Sequence, residues 1–215
     1  MIRSPDPNQK DTTLIMNPES WDERFSRVEF IYGVEPNEYF RSNLKQLTAG
    51  KLLLPGEGEG RNAVFAVLAG WEVDAFDSSS AARAKANQLA QKNNVTLNYQ
   101  IAEHHSLPLS ENFYDAAALI YIHLTGDKLI DLVNKIFIML KPGGIFIMEG
   151  FSKNQLRHTS GGRKELSILY SLEDIIAACI DFDFQHLVEE ETELSEGKYH
   201  SGTASVVRFT GIKPL

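Results

Sequence analysis

The stretch that decides the fold is Lys51-Leu52-Leu53-Leu54-Pro55-Gly56-Glu57-Gly58-Glu59-Gly60-Arg61-Asn62. It begins with a short apolar run, which predicts a buried strand over residues 51–54. Three glycines follow at alternate positions, and glycine permits backbone angles and close approaches that other residues forbid. The residues after them, 62–68, predict a helix. A strand, a glycine-rich turn and a helix in this order are typical of the ligand-binding turn of an open parallel sheet.

Strand and helix patterns alternate along the chain beyond this turn. Further strands are predicted over residues 72–76, 97–101, 115–122 and 145–148, and further helices over residues 81–92, 128–140 and from residue 171. The last two segments, residues 184–194 and 201–213, have the pattern of a hairpin. This alternation predicts a Rossmann-like, doubly wound α/β fold, with a mostly parallel sheet, helices on both faces and an antiparallel edge.

The regions outside the central sheet have their own compositions. Residues 1–18 are polar and proline-bearing, which predicts a flexible tail. Residues 19–47 look helical, with a break near Gly33 and Pro36, and are rich in aromatic side chains. No repeat or second domain is visible, so we expect one domain over residues 19–215. Its parts are a helical cap over residues 19–50, a cofactor-binding core over 51–150, a candidate lid over 151–170, and a helix with a hairpin over 171–215.

Composition restricts the classes of partner. The net charge of −8 argues against a broad nucleic-acid-binding face, which needs basic residues. No apolar run approaches the roughly 18 residues that a membrane span requires. The single cysteine, Cys179, allows no intrachain disulfide and lies in an apolar helical stretch, so we expect it in the core of a cytoplasmic protein. No cluster with metal-ligand spacing is visible, and we expect a monomer or homodimer that acts on a small molecule.

The spacing of the glycines leaves two cofactors open. A dinucleotide fingerprint reads G-x-G-x-x-G, and counting from Gly58 places Gly60 and Ala63 at the later positions, which such fingerprints tolerate. Glu57 and Glu59 favour a different ligand, because a pyrophosphate would lie beside two carboxylates. S-adenosylmethionine carries a sulfonium and an ammonium and no phosphate. The turn therefore favours S-adenosylmethionine, with a nicotinamide cofactor as the alternative.

An acid ends the second predicted strand. Asp77 follows Gly60 by 17 residues, where a carboxylate commonly accepts hydrogen bonds from ribose hydroxyls. The alternative is a helix N-cap, because Ser78-Ser79-Ser80 and a helix follow. The upstream glycine turn favours the ribose.

Several motifs then occur in a fixed order. They are Trp21-Asp22-Glu23-Arg24-Phe25, Tyr32-Gly33 with Pro36-Asn37, the glycine turn with Arg61-Asn62, Asp77, Leu140-Lys141-Pro142-Gly143-Gly144, and Glu196-Gly197 with His200, Gly202 and Ala204. In these motifs the chain resembles class I S-adenosylmethionine-dependent methyltransferases, in particular the group related to tellurite-resistance and thiopurine methyltransferases. The resemblance runs from about Trp21 to Lys213. One departure is Leu54, at a position where many members carry an acid.

The resemblance implies a seven-stranded sheet with an antiparallel last strand. It also implies methyl transfer from S-adenosylmethionine to a small-molecule acceptor such as a thiol or a chalcogen oxyanion. The implied cofactor contacts are the glycine turn with the methionine part (Gly56, Glu57, Gly58, Gly60, Asn62), Asp77 and Ser78 with the ribose, Glu103 and His104 with the adenine, and Tyr121 with the methionine part.

Catalytic and acceptor-binding residues are predicted from their places in the sequence. His123 follows the fourth strand at the ligand face and is the best-placed candidate base, although a polar strand end is the alternative. Trp21, Tyr32, Arg157 and His200 are candidate acceptor contacts. Arg157 belongs to a basic segment that resembles a lid, and His200 lies in the predicted hairpin turn, where a surface role is the alternative. A module that binds the cofactor without catalysis also remains open.

Overall fold

The computed structural model describes residues 20–108 and 110–215. It contains a seven-stranded sheet in the order β3-β2-β1-β4-β5-β7-β6. The strands are β1 (Lys51–Pro55), β2 (Glu72–Asp77), β3 (Asn98–Ile101), β4 (Tyr114–Ile120), β5 (Leu140–Phe151), β6 (Asp183–Ser195) and β7 (Ser201–Ile212). The five strands β1 to β5 pair in parallel, and β7 is antiparallel to both β5 and β6. The predicted fold is confirmed.

Helices connect these strands and cover both faces of the sheet. They are α1 (Trp21–Phe25), α2 (Glu38–Leu44), α3 (Arg61–Leu68), α4 (Ser80–Lys92), α5 (Gly126–Met139) and α6 (Leu172–Ala178). Short 3-10 turns lie at His104–Ser106, Lys153–Arg157 and Leu166–Ile168. The predicted tail, residues 1–18, lies outside the described residues.

The central strand β1 explains why the sheet has two apolar layers. Successive side chains of a strand point to opposite faces. Accordingly, Leu53 packs in a core cluster with residues of α5 and α6, while Leu52 and Leu54 pack in a second cluster with residues of α2 and α3. The Cys179 side chain is fully buried in the first cluster, which confirms the core position predicted for it.

The N-terminal cap differs from its prediction. Residues 19–47 were expected to be helical with a break near Gly33 and Pro36. The break is present but longer than expected, because α1 has five residues and α2 begins only at Glu38. A capping box between Ser20 and Glu23 begins α1, and the Asn37 side chain accepts a hydrogen bond from Phe40 N to begin α2. Between the two helices Gly33 has φ 73°, a left-handed conformation that a helix cannot contain.

The fifth strand is longer than predicted. It was expected over residues 145–148 but runs from Leu140 to Phe151. Helix α5 ends at Met139, and the predicted stop residues 141–144 lie inside the strand as an irregularity. Gly143, with φ 80°, makes this detour possible. Within the residues that the structure describes, none of the helices combines the length and the apolar character that crossing a membrane would need.

Candidate functional site

A cavity of about 250 Å³ opens at the carboxyl ends of the central strands. The strand order reverses there, because β1 lies between β2 and β4. Such a switch point is where open α/β sheets bind their ligands. Thirteen of the predicted site residues line the cavity: Trp21, Tyr32, Gly56, Glu57, Gly58, Asn62, Asp77, Ser78, Glu103, His104, Tyr121, His123 and His200. Gly60 and Arg157 are not among its lining residues.

The glycine turn forms the floor of the cavity. Gly56 and Gly58 have φ 67° and 64°, which favours glycine at both positions. The turn is fixed from two sides, because Tyr99 Oη donates to Gly58 O at 2.6 Å and Gly58 N donates to Asp77 Oδ2 at 3.0 Å. The turn is therefore held in one shape by neighbouring strands before any ligand binds.

Gly60 has a different role from the one predicted. Its φ is 88°, and a β-carbon there would lie 2.6 Å from Cβ and 2.8 Å from Cα of Ala86. Gly60 thus allows α3 to begin directly against α4. It serves the packing of two helices and does not line the cavity.

The two glutamates of the turn are not equivalent. Glu59 accepts from Lys85 Nζ at 2.7 Å in a buried ion pair, so its charge is neutralised within the protein. Glu57 accepts from Ala63 N at 2.8 Å and has no basic side chain at ion-pair distance among the described residues. Burial raises the pKa of the Glu57 carboxyl to about 7, although the Ala63 hydrogen bond opposes the rise. Of the two acids, only Glu57 therefore disfavours a phosphate ligand, so the charge of the turn opposes phosphate less than the sequence suggested.

Asp77 ends β2 at the edge of the cavity. Its two carboxylate oxygens accept from Gly58 N at 3.0 Å and from Ser79 N at 2.9 Å. The N-cap of α4 is Ser79, whose hydroxyl accepts from Ala82 N, so Asp77 is not the cap. Burial raises the pKa of Asp77. Asp77 thus joins the glycine turn to the start of α4.

The segment after β4 brings aromatic and imidazole groups to the cavity. Tyr121 has φ 53°, an uncommon left-handed conformation for a residue other than glycine. The His123 ring stacks on Trp21 with a centroid distance of 5.5 Å. Burial, together with the nearby His200 and Arg163, lowers the pKa of His123 to about 3. The imidazole is therefore neutral throughout the physiological range.

His200 lies in the interior. It was expected in a hairpin turn with a surface role as the alternative, but its side chain is 4% exposed. The rings of Tyr32, Tyr121 and Phe151 surround it at centroid distances of 4.5, 4.4 and 5.2 Å. Burial lowers the pKa of His200. The turn between β6 and β7 therefore folds inward and closes one side of the cavity.

A buried polar network next to His200 was not predicted from the sequence. Asn37 Nδ2 donates to Glu149 at 2.6 Å and to Glu196 at 2.9 Å. Arg61 binds Glu196 at 2.7 Å, and Arg208 binds Glu149 at 2.5 Å. Burial would raise the pKa of Glu196, but His200 and Arg61 outweigh it and lower that pKa to about 2. No local pattern marks such a network, because its members come from separate elements.

In the basic segment after β5, the arginine that contacts a cavity-lining residue is Arg163 and not the predicted Arg157. Arg157 is exposed and does not line the cavity, so the structure does not support it as an acceptor contact. Arg163, from the same segment, places its guanidinium carbon 4.8 Å from the centre of the Trp21 ring. The buried Gln155 side chain donates to Gly161 O and accepts from Ser205 N, which anchors the segment to β7.

Glu103, His104 and His105 form a further group at the adenine end predicted for the cavity. Each offers one metal-ligand atom, and these atoms lie within 4.8 Å of one another. Burial lowers the pKa of His104, and the adjacent His105 adds to the effect. No metal-ligand cluster was expected from the sequence, whereas the ligand atoms of these three side chains lie close enough together to hold a metal ion.

Comparison with known proteins bears on this site. Residues 53–144, which include the glycine turn, Asp77 and His123, match the model of a methyltransferase domain. This similarity agrees with S-adenosylmethionine, the first of the two cofactors that the glycine spacing left open.

Relatives and solved structures agree with this assignment. Carnosine N-methyltransferases of Rattus norvegicus and Mus musculus are 35% identical over 107 residues, which cover 42% of this chain and 26% of theirs. The chain thus spans about a quarter of the length of these curated relatives. TehB from Haemophilus influenzae superposes with a TM-score of 0.69 at 17% identity, covering 83% of this chain and 62% of TehB. A SAM-dependent methyltransferase of Methanosarcina mazei gives 0.67 at 15% identity, covering 84% and 99%. The methyltransferase domain therefore lies within a class I methyltransferase fold.

Proposed function

We propose that the chain transfers a methyl group from S-adenosylmethionine to a small-molecule acceptor, as a member of the tellurite-resistance and thiopurine methyltransferase-like group. One observation carries the proposal: two groups of different chemistry line the same cavity. We assign the glycine turn, Asp77, Glu103 and His104 to a first end, and the mutually contacting side chains of Trp21, Tyr32, Tyr121, His123 and His200 to a second end. The similarity to TehB and the ordered sequence motifs support the placement in this group.

The first end suits the cofactor. Gly56 and Gly58 leave the backbone open beneath the methionine part, with Glu57, Asn62 and the backbone of Tyr121 beside it. Asp77, followed by Ser78, would accept hydrogen bonds from the ribose hydroxyls. Glu103 and His104 would contact the adenine. Glu57 lies where a carboxylate favours a cationic ligand, since no basic side chain among the described residues pairs with it.

The second end suits the acceptor. Methyl transfer is an in-line displacement: the acceptor lone pair forms the bond to the methyl carbon while the carbon–sulfur bond breaks, and neutral S-adenosylhomocysteine leaves. The donor is already activated, so the protein mainly positions the reactants and excludes water. Trp21, Tyr32 and His200 provide an aromatic wall for this purpose, with His123 beside the reacting groups.

The pKa of His123 limits the acceptor. An imidazole whose conjugate acid has a pKa of about 3 is a poor base toward a thiol, whose pKa is about 8.5, because transfer of the thiol proton to His123 would be unfavourable by several kcal/mol. His123 would therefore contact the acceptor as a neutral imidazole. We expect an acceptor with a free lone pair at neutral pH: a thiolate, a chalcogen oxyanion or, as the carnosine N-methyltransferases suggest, an imidazole nitrogen.

The test is transfer of labelled methyl groups to a panel of thiols, tellurite, selenite and imidazole dipeptides, with alcohols and alkylammonium compounds as negative acceptors. We expect transfer to at least one member of the first set and none to the second. Asp77→Asn should weaken cofactor binding, whereas Asp74→Asn, on the same strand but outside the cavity, should not. Cofactor binding without transfer to any acceptor would favour a non-catalytic binding module, and oxidation of NADH would favour the nicotinamide alternative.

A further inference from the structure

Helix α1 carries part of the acceptor wall. Trp21 is its first residue and stacks on His123, with an interplanar angle of 13°. The helix has five residues, and Phe25 is the buried one among them. Phe25 packs with Ala82 of α4 and lies over the glycine turn, where a β-carbon on Gly58 would be 3.2 Å from Cζ of Phe25. At the other end of the helix, the Trp21 ring stacks on Phe25 and His123, and the Arg163 guanidinium lies 4.8 Å from its centre.

Asp22 holds that other end. Its Oδ1 atom accepts three hydrogen bonds from the start of α4: from Ser79 Oγ at 2.7 Å, from Ala81 N at 3.0 Å and from Ser80 Oγ at 3.3 Å. These hydrogen bonds lower the pKa of Asp22, so the carboxylate is ionised at neutral pH. Its negative charge also lies at the N-terminus of α4, where the helix dipole favours an anion.

The same serine contacts the cofactor end of the cavity. Ser79 N donates to Asp77 Oδ1 at 2.9 Å, while Ser79 Oγ donates to Asp22. Ser79 is buried whereas Asp22 is exposed, so the hydrogen bond between them joins the packed start of α4 to the surface of α1. Asp77, Ser79 and Asp22 thus form a continuous hydrogen-bonded path from the ribose position to the residue beside Trp21.

We propose that Asp22 is a positioning residue that connects Trp21, the acceptor-wall residue on α1, to Ser79 and Asp77, so that cofactor occupancy sets the position of Trp21. The inference rests on the proposed function, because the ribose and the acceptor are its two ligands. A ribose that binds Asp77 would restrain Ser79, Ser79 would restrain Asp22, and the stack of Trp21 on His123 would become less mobile. The acceptor would meet a firmer wall in the cofactor-bound protein, which predicts that the cofactor binds first.

Fluorescence of Trp21 tests this proposal. The chain has two tryptophans, and Trp71→Phe leaves Trp21 as the reporter. Acrylamide quenching is measured with and without saturating S-adenosylhomocysteine, whose affinity is measured separately by calorimetry. We expect the ligand to lower the quenching constant by about twofold or more in the parent and to leave it nearly unchanged in Asp22→Ala, while ligand affinity changes by less than about threefold.

Two further variants distinguish loss of the Asp22 hydrogen bonds from loss of α1 stability. Asp22→Asn keeps the Oδ1 atom that accepts all three hydrogen bonds, so it should retain the protection of Trp21. Glu23→Gln weakens the capping box inside α1 without touching α4, and it should also retain the protection. Protection that persists in Asp22→Ala, or is lost equally in Glu23→Gln, would overturn the proposal. Failure of the parent to bind S-adenosylhomocysteine would overturn the proposed function itself, whereas binding without any change at Trp21 would overturn the positioning role alone.

Discussion

At the scale of single residues, two glycines of the same turn have different surroundings: Gly58 faces the cavity and Gly60 packs against α4. Gly58 lines the cavity and Gly60 does not, although the sequence gives both the same appearance. A β-carbon on Gly58 would meet the end of the Phe25 side chain, which can move, whereas one on Gly60 would meet the backbone of Ala86, which cannot. Both have positive φ, but only Gly60 is enclosed by backbone.

Substitution of these two glycines by alanine should therefore have different effects. Gly60→Ala should lower the free energy of unfolding by about 2–4 kcal/mol, because α3 and α4 must separate. Gly58→Ala should cost less stability, about 1–2 kcal/mol, and weaken S-adenosylmethionine binding about tenfold or more. Urea unfolding and calorimetry measure the two effects. Equal loss of stability in both variants, with unchanged affinity in Gly58→Ala, would show that the assignment is wrong.

The buried Glu57 should make both stability and affinity depend on pH. Its pKa is raised from 4.5 to about 7 in the folded protein, so between these values the folded state binds more protons than the unfolded state. The free energy of unfolding of the ligand-free protein should therefore decrease as the pH rises from about 4.5 through 7, by at most about 3 kcal/mol. Glu57→Gln should remove this decrease and be the more stable protein at pH 8.

Affinity should change in the opposite direction. A cationic cofactor favours ionised Glu57, so S-adenosylmethionine binding should strengthen as the pH rises through about 7 and should release protons. Calorimetry in buffers of different ionisation enthalpy measures this release. A pH dependence that persists in Glu57→Gln would place the titrating group elsewhere.

His123 should not titrate during the reaction. With a pKa of about 3 it is neutral from pH 5 to 9, so the pH profile of kcat/KM should show no ionisation attributable to it. His123→Ala should still lower kcat/KM, by about tenfold, through loss of an acceptor contact. His123→Asn should keep the shape of the profile. An inflection near pH 6–7 that disappears in His123→Asn would identify His123 as a base after all.

At the scale of elements, local signals account for most of the fold and for the cofactor end of the site. Apolar runs and the glycine turn predicted the strands and the sheet, apart from the length of β5, because their causes lie within a few residues of sequence. The cap contains less helix than predicted, because its aromatic residues Trp21, Phe25 and Tyr32 pack around the cavity and do not form one face of a helix. The burial of His200 was not predicted for the same reason, since the partners that bury it lie on other elements.

The loop after β4 depends on one hydroxyl from a distant element. Tyr170 Oη accepts from Leu124 N at 3.1 Å and lies at 3.0 and 3.2 Å from Ile122 O and Leu124 O. These contacts hold the residues on either side of His123 in the sequence. Tyr170→Phe should cost about 1–2 kcal/mol of stability and raise the KM for the acceptor more than the Kd for the cofactor.

A matched variant controls for the loss of a tyrosine hydroxyl. Tyr114→Phe removes a hydroxyl that donates to Asp74 at 2.8 Å, away from the cavity, so it should leave both constants unchanged. Steady-state kinetics and calorimetry give the comparison. Equal effects of the two variants on acceptor KM would mean that Tyr170 does not position the loop.

At the scale of the whole molecule, a buried polar network joins the cap, the sheet and the hairpin around the cavity. Asn37 from the cap, Glu149 from β5 and Glu196 from the hairpin turn meet in it, and Arg61 connects it to the glycine turn. Gly33 and Gly197 permit the close contact of cap and turn, since a β-carbon on Gly197 would lie 2.4 Å from Gly33 N. The acceptor end thus exists only in the assembled fold, which is why the sequence predicted the cofactor more fully than the acceptor.

The most direct measurement is titration calorimetry of the protein with S-adenosylmethionine, S-adenosylhomocysteine and NAD, repeated with Asp77→Asn and with the control Asp74→Asn. We expect both S-adenosyl ligands to bind one site, with affinity lowered about tenfold or more by Asp77→Asn and unchanged by Asp74→Asn, and we expect no binding of NAD. Binding of NAD alone, or binding of S-adenosylmethionine that Asp77→Asn leaves unaffected, would contradict the assignment of this cavity.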